Sequence, residues 1–472
     1  MAIILNHNIL QTNANFLSII DSAKDYAMQK GFTMRPRETS RDVRVHLPFC
    51  LVPSLFPAKW FWFACEIQPE MNLVLHKVAH SKEFLKECLS GLIEVDDFIK
   101  NIFEIFEAVY DSHTKREQVS LGLIRSDYLL SQTPYGEPSL KQVENNTIAS
   151  GFCGISPIAR DLHLFILKKF GRTGIESKLP INKCDLEMSR GMKLAWDVYG
   201  NPDAVIIFVV EEATFNISDQ RILEYQVMKL EPRIRVMRLT FVELRSCAVL
   251  KDEKLFVKGK EVALVYYRDG YAPDHYEPED WETRLLIERS QAIKCPSVGY
   301  QLAGTKRVQC YLAQDGILER FTTHEVAQRL RQVFAFQCFL NEKENNEAIS
   351  SAIQNPELYV LKPEREGGGN NLYGRNLKNH LLQIRNTRKC NAYILMQHLN
   401  PLSLPNCIIR SDSHPKFCSV VSELGTYGAI LGSLNFIHAN YFAGHLLRSR
   451  EEDREEGGVA AGFGALDSCI LE

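Results

Sequence analysis

The apolar residues change period along the chain. In 14–30 and 80–110 they recur every third or fourth position, and Phe84, Leu85, Cys88, Leu89, Leu92 and Ile93 fall on one helical face. The same spacing predicts helix over 323–353, where Val326, Leu330, Val333 and Phe334 share a side. Residues 47–57 are apolar but interrupted by prolines, which fix φ and remove a donor, so this span is expected to be extended or irregular and laid against the body. Strand patterns appear at 121–128, 141–148, 261–267, 359–361, 393–399, 420–425 and 444–450. Ala204 to Val210 is uninterrupted apolar, as in a strand buried on both faces. A helix is expected near Gln220, which makes 211–219 a junction of the kind where open α/β sheets bind ligands. A further helix is expected to open across 301–306, with Gly304 or Thr305 near its start. Strand, helix and strand between 204 and 303 outline a compact α/β subdomain.

Length and composition narrow the class. At 472 residues the chain exceeds one typical core, so two or three subdomains are expected. The apolar fraction of 45% and charged fraction of 24% are those of an ordinary globular protein. A net charge of −3, with no basic stripe, excludes a nucleic-acid binder of the usual kind. Thirteen cysteines without a C-x-x-C fit a reducing compartment rather than a disulfide framework or zinc ribbon. No apolar run reaches the ~20 residues that span a bilayer, and the start lacks a basic leader region, so a cytoplasmic protein is expected.

The chemistry concentrates at Tyr359 to Gly374. A short strand delivers Lys362, then Glu366, then Gly367, Gly368, Gly369, Asn370 and Asn371. Successive backbone N–H groups in such a loop form an anion-binding concavity. Lys362 adds a cation for phosphate, and Glu366 a hard oxygen for Mg²⁺. A plain hairpin turn is the other reading. The loop is neither a Walker A sequence nor a G-x-G-x-x-G, and it suits a nucleotide lid.

Elsewhere, Arg125 is either a surface partner of Asp127 or a carboxylate clamp. Period-two alternation puts Glu144 and Asn146 on one face of a strand, as a polar edge or a Mg²⁺ or Ca²⁺ site. Lys306 at a helix start could reach a phosphate. Met396 to Leu399 end an apolar strand whose amides could meet an adenine edge. Residues 451–456 form a charge run expected to be a solvated loop. The small, flexible 457–464 suits closure over a site, with Val459 and Phe463 arguing that it docks.

Together these segments resemble the eukaryotic glutathione synthetase family of ATP-grasp ligases. The likeness is carried by 121–128, Glu144-Asn-Asn-Thr-Ile148, 216–220, 267–271, 301–306, 361–374, 422–425, 444–448 and 457–462, and it runs nearly the whole chain. It implies a mixed α/β ATP-grasp body (1–203 and 304–472) with a lid near 338–417 and a closing loop at 454–466. The α/β substrate subdomain would be 204–303. It further implies ATP, two Mg²⁺ ions, a homodimer, and the joining of γ-glutamylcysteine to glycine through an acyl phosphate. Carried over by position, Glu144, Asn146 and Glu366 would hold Mg²⁺. Lys306, Lys362, the loop through Asn371, Tyr373, Met396, Gln397, His398, Leu399, Glu423, Arg450 and Glu456 would surround ATP. Arg125, Ile148, Ala149, Ser150, Gly151, Thr214, Phe215, Asn216, Gln220, Arg268, Asp269, Gly270, Tyr271, Arg448, Val459 and Ala460 would bind the peptide and acceptor. Arg125, Lys306, Lys362 and Arg448 would carry the catalytic charge.

Some positions depart from the family pattern. Ala149 and Gly151 stand where hydroxyls are usual, and Thr214 where an acid is frequent. Gln397 replaces an acid and Arg450 a lysine. These departures leave two other readings: a ligase with another donor or amine acceptor, or a non-catalytic nucleotide-binding relative.

Overall fold

The computed structural model describes residues 15–36, 42–110, 118–133, 136–340, 345–366, 369–411, 413–455, 458–459 and 462–472. Its centre is a seven-stranded sheet in the order Ser403–Ile409, Phe49–Cys50, Gly464–Asp467, Ile437–Glu451, Lys416–Gly432, Ser120–Thr133, Gly136–Asn146. The two longest strands pair antiparallel down the middle. Their alternation divides the core. Leu121, Leu123, Tyr427, Ala429 and Leu431 face one apolar cluster with Met188 and Met192 of helix Cys184–Tyr199. Ile124, Tyr128, Leu424 and Ile430 face another, with Phe61, Met71 and Val74 of helix Ala58–Ala79. Burial on both faces is why these strands read as apolar runs. Gly428 is required where that second helix crosses, because a Cβ there would lie 2.1 Å from Asn72 Oδ1.

A second sheet holds Val236–Leu239, Val205–Val209, Lys260–Tyr267 and Ile293–Cys295 in parallel, extended by the hairpin Ala248–Lys251 and Lys254–Val257. Val205–Val209 is buried throughout, as its composition requires. A third, antiparallel sheet of Gln337–Phe339, Tyr393–Gln397 and Tyr359–Pro363 packs helices Asn346–Gln354 and Gly374–Ile384 around its own small core.

Several expectations need correcting. The 80–110 helix is two, Lys82–Leu89 and Asp97–Tyr110. Residues 323–353 hold helix His324–Arg331, strand Gln337–Phe339 and helix Asn346–Gln354. Gln301 to Ala303 end helix Val298–Ala303, and Lys306–Leu312 starts afresh with Thr305 as its cap. The helix expected near Gln220 begins earlier, as Ile217–Leu230. Glu451 is no solvated residue: it is 6% exposed and paired with Lys416 and Arg410. Residues 47–57 are buried as expected and form short strands, Phe49–Cys50 and Ser54–Phe56. Among the described residues, no two cysteines are joined in a disulfide.

Candidate active site

A cavity of about 300 Å³ opens where the end of the central sheet, the second sheet and the three-stranded sheet face one another. Its floor comes from the edge strand Gly136–Asn146 and its neighbour. A bulge there leaves Val143 unpaired opposite Asp127 and Tyr128. Bulges re-aim side chains, and Val143 joins Glu144 and Asn146 on the cavity wall, against the strict alternation expected. Asn145 turns away and accepts from Ser126.

Asp127 organises the cations. Fully buried, it accepts from Arg125 Nε (2.7 Å) and NH2 (2.8 Å), from Arg448 NH2 (3.0 Å) and from Asn146 Nδ2 (2.9 Å). Arg448 also pairs with Glu423. Arg125 pairs with Asp127 as one reading had it, but it is buried rather than on the surface, and it lines the cavity.

Toward the three-stranded sheet, Lys362 is 4% exposed and donates to Val143 O (2.9 Å). Lys306 Nζ donates to Arg365 O (2.7 Å) and lies 3.7 Å from Glu366 Oε1. Burial pushes the Glu144 carboxyl up, but Lys306, Lys362, Arg125 and Arg448 outweigh it and hold the group below its ordinary range. Burial, with Glu144 and Glu364 nearby, pushes Glu366 up to about 7 against the pull of Lys306. Val360, Met396 and Leu399 pack with Leu129, Val143 and Tyr373 into an apolar cluster on the cavity wall. The amides of Gln397 and His398 are already bonded to the carbonyls of Phe336 and Leu358 and offer no donor to a base. The glycine loop closes as a hairpin through paired bonds between Leu361 and Leu372.

On the opposite wall, Asn216 and Gln220 sit at the start of Ile217–Leu230. Asp219 anchors this corner by accepting from the N–H groups of Phe152 (2.8 Å), Gly154 (2.7 Å) and Ile155 (3.2 Å) and from Asn216 Nδ2 (3.1 Å). Arg268, at the end of Lys260–Tyr267, is 7% exposed and keeps Nε and NH1 without a hydrogen-bond partner. Asn216 Oδ1 is likewise buried and unmatched. A buried donor or acceptor left unpaired costs about 1–3 kcal/mol; these atoms are closed off from the cavity, and other atoms of Arg268 and Asn216 form its wall.

Arg125, Glu144, Asn146, Ile148, Ala149, Ser150, Gly151, Thr214, Phe215, Asn216, Gln220, Arg268, Tyr271, Lys362, Glu366, Asn371, Tyr373, Met396 to Leu399, Glu423, Arg448, Arg450 and Val459 all meet here. Lys306 stands just behind, on Glu366. Asp269 and Gly270 do not line the cavity; Asp269 pairs with His275 on the wall of a neighbouring one. Asn370 is exposed and bonds Glu366 O (3.3 Å), and Gly369, with φ of 81°, serves the turn. Gly367, Gly368, Glu456 and Ala460 lie outside the described residues.

The comparisons then decide the lineage. The family profile described as eukaryotic glutathione synthase, ATP binding domain, matches residues 13–471. The chain belongs to that family. It is 37% identical over 467 residues to the glutathione synthetase of Homo sapiens, covering 98% of each chain. It is 38% identical over 455 residues to that of Xenopus laevis, covering 95% of each. The chloroplastic glutathione synthetase of Arabidopsis thaliana is 38% identical over 434 residues, 90% of this chain and 79% of that one. A glutathione synthetase-like effector of Globodera pallida, solved in its apo form, shares the fold with a TM-score of 0.80 at 24% identity, over 98% of this chain and 99% of that one. The fold is the ATP-grasp arrangement of the eukaryotic glutathione synthase family.

Sequence reasoning missed Asp219, Glu364 and Val360. Asp219 and Glu364 bind backbone N–H groups, which leave no trace in residue spacing. Val360 was findable, because it lies two residues before Lys362 in a strand and so shares its face.

Proposed function

We propose that the protein is an ATP-dependent ligase that joins γ-glutamylcysteine to glycine and yields glutathione, ADP and phosphate. The observation that carries this is a cavity with Glu144, Glu366 and Lys362 on one wall and Arg268, Asn216 and Gln220 on the other, in a chain 37% identical to a glutathione synthetase over 98% of its length. A guanidinium and two carboxamides on that second wall complement the carboxylate and ammonium of an amino-acid head. Arg125 and Arg448, held rigid by Asp127, would meet the far carboxylate of the dipeptide. Val360, Met396 and Leu399 would hold the base, and Lys306 and Lys362 the phosphates.

ATP would phosphorylate the C-terminal carboxylate, and the glycine amine would displace phosphate from the acyl phosphate. Such chemistry needs positioning and charge neutralisation rather than a protein nucleophile. Glu144, Glu366 and the Asn146 amide oxygen fit Mg²⁺: they are hard oxygen donors, and burial, with Glu144 and Glu364 nearby, disfavours the Glu366 charge that a further cation would offset. Mg²⁺, two ions by the proposal, would neutralise phosphate oxygens. Val459, 1% exposed, supports a loop that docks over the acceptor.

The proposal includes the division into a 204–303 substrate subdomain and an ATP-grasp body, a homodimer and a cytoplasmic location. No described helix is long and apolar enough to cross a membrane. The test is ADP release by the purified protein with both substrates, with glutathione identified by mass. No ADP with that pair rejects the proposal, and ADP with another amine alone would favour a different acceptor.

A further inference from the structure

We infer that Arg238 is a positioning residue for the dipeptide pocket: it holds the Gln220 carboxamide so that its NH2 group, not its oxygen, faces the substrate. The inference rests on the pocket assignment above.

Arg238 lies on strand Val236–Leu239, outside the catalytic cavity, and lines the neighbouring cavity of about 730 Å³. The wall between the two cavities contains Glu211 and Thr214, which line both. Arg238 NH2 reaches through to a Gln220 side-chain atom at 2.6 Å. A guanidinium only donates, so that atom must be the amide oxygen, Oε1. Nε2 then points the other way and donates to Thr214 Oγ1 at 3.2 Å. Gln220 is 2% exposed, and with both ends engaged its amide cannot turn over. Its second N–H is left for the cavity, the polarity that a carboxylate head requires.

Arg238 does little else. Its NH1 is 3.6 Å from Glu224 Oε2, but Glu224 already accepts from Arg221 at 2.7 and 2.8 Å. Removing Arg238 therefore leaves no carboxylate bare. Burial and the nearby Arg221 push its own pKa down to about 10 against Glu224, so it remains a cation at neutral pH.

The test is steady-state kinetics on Arg238→Met, Arg238→Lys, Gln220→Ala and the double variant R238M/Q220A. R238M should raise KM for γ-glutamylcysteine about tenfold, the worth of one charge-assisted hydrogen bond. Its kcat, and KM for ATP and glycine, should stay within about twofold. R238K, which still donates, should recover most of the loss. In the Q220A background, adding R238M should change nothing further, because the two act as one unit. The inference is overturned by an unchanged KM in R238M. It is also overturned if the R238M effect is as large without Gln220 as with it, or if kcat and melting temperature fall together in both Arg238 variants. A wild-type protein that releases no ADP with the dipeptide defeats the pocket assignment itself, a result separable from either.

Discussion

Glu364→Ala should loosen the nucleotide side without replacing any residue proposed to hold the nucleotide. Glu364 is 7% exposed and lies two residues before Glu366. One carboxyl oxygen accepts from Lys306 N at 2.9 Å, the other from Arg307 N at 3.1 Å. These are the first two amides of helix Lys306–Leu312, which have no partner within the helix. Thr305 caps the third through Val308 N. The carboxylate thus ties the glycine-loop strand to the helix that carries Lys306.

Alanine would leave two buried N–H groups unmatched, at about 1–3 kcal/mol each. Burial holds the Glu364 carboxyl above its ordinary range, with Lys306 opposing, so some of that gain is already spent on desolvation. The lower end, ~2–3 kcal/mol in total, is the better figure. If ~2 kcal/mol of it falls on the nucleotide-binding conformation, ATP affinity drops roughly thirtyfold. Glu364→Gln keeps one acceptor and should lose about half as much free energy. Calorimetric titration with a non-hydrolysable ATP analogue, alongside denaturant unfolding, measures both effects. An E364A protein that binds the analogue within about twofold of wild type and unfolds at the same midpoint would refute the tie.

Four further outcomes are expected. Asp127→Asn removes the buried carboxylate that Arg125 and Arg448 share, leaving Arg448 with Glu423 and Arg125 with no paired carboxylate, and should cost about 3–5 kcal/mol in guanidinium unfolding, with loss of turnover. Glu144→Gln should weaken the Mg²⁺ dependence of ADP release by at least tenfold in half-saturating concentration, since one of two hard carboxylates is gone. Gly151→Ser sets a Cβ 3.3 Å from Asn216 Nδ2 and 3.4 Å from Arg268 Nη2, with its hydroxyl one bond beyond; lower KM for the dipeptide is expected, and a rise would mean the crowding wins. His76 is buried neutral, accepting from Tyr300 OH (2.6 Å) and donating to Ser433 O (2.9 Å), and burial, then His80, pushes it down to about 4. The unfolded chain binds that proton first, so stability should be full above about pH 6.5 and fall toward pH 4 by up to ~1.4 kcal/mol per unit from this group. His76→Gln should flatten that limb in unfolding measured across the range.

What could be read in advance follows the physics of each element. Strands buried on both faces announce themselves by unbroken apolar runs, and Val205–Val209 was placed to within a residue. Lys362 and Glu366, singled out because a lysine, a carboxylate and a glycine run stand so close together, do line the cavity. Glu144 and Asn146 share a wall as period two requires, but Val143 joined them through a bulge that alternation cannot foresee. The 323–353 span misled because Val333 and Phe334 continue a helical spacing past the helix end at Arg331, into a turn and the strand Gln337–Phe339. Asp219 and Glu364 act on backbone amides brought close by the fold, and Arg238 on a side chain from a neighbouring element. Such contacts belong to tertiary structure and leave no local signature.

The central claim is that a peptide carboxylate is activated by phosphoryl transfer from ATP in this cavity. The direct measurement uses γ-glutamylcysteine labelled with ¹⁸O in its C-terminal carboxylate, with ATP, Mg²⁺ and glycine, and reads the released phosphate by mass. One ¹⁸O per phosphate, in step with glutathione formed, is the expected result; unlabelled phosphate, or glutathione without ADP, would contradict it.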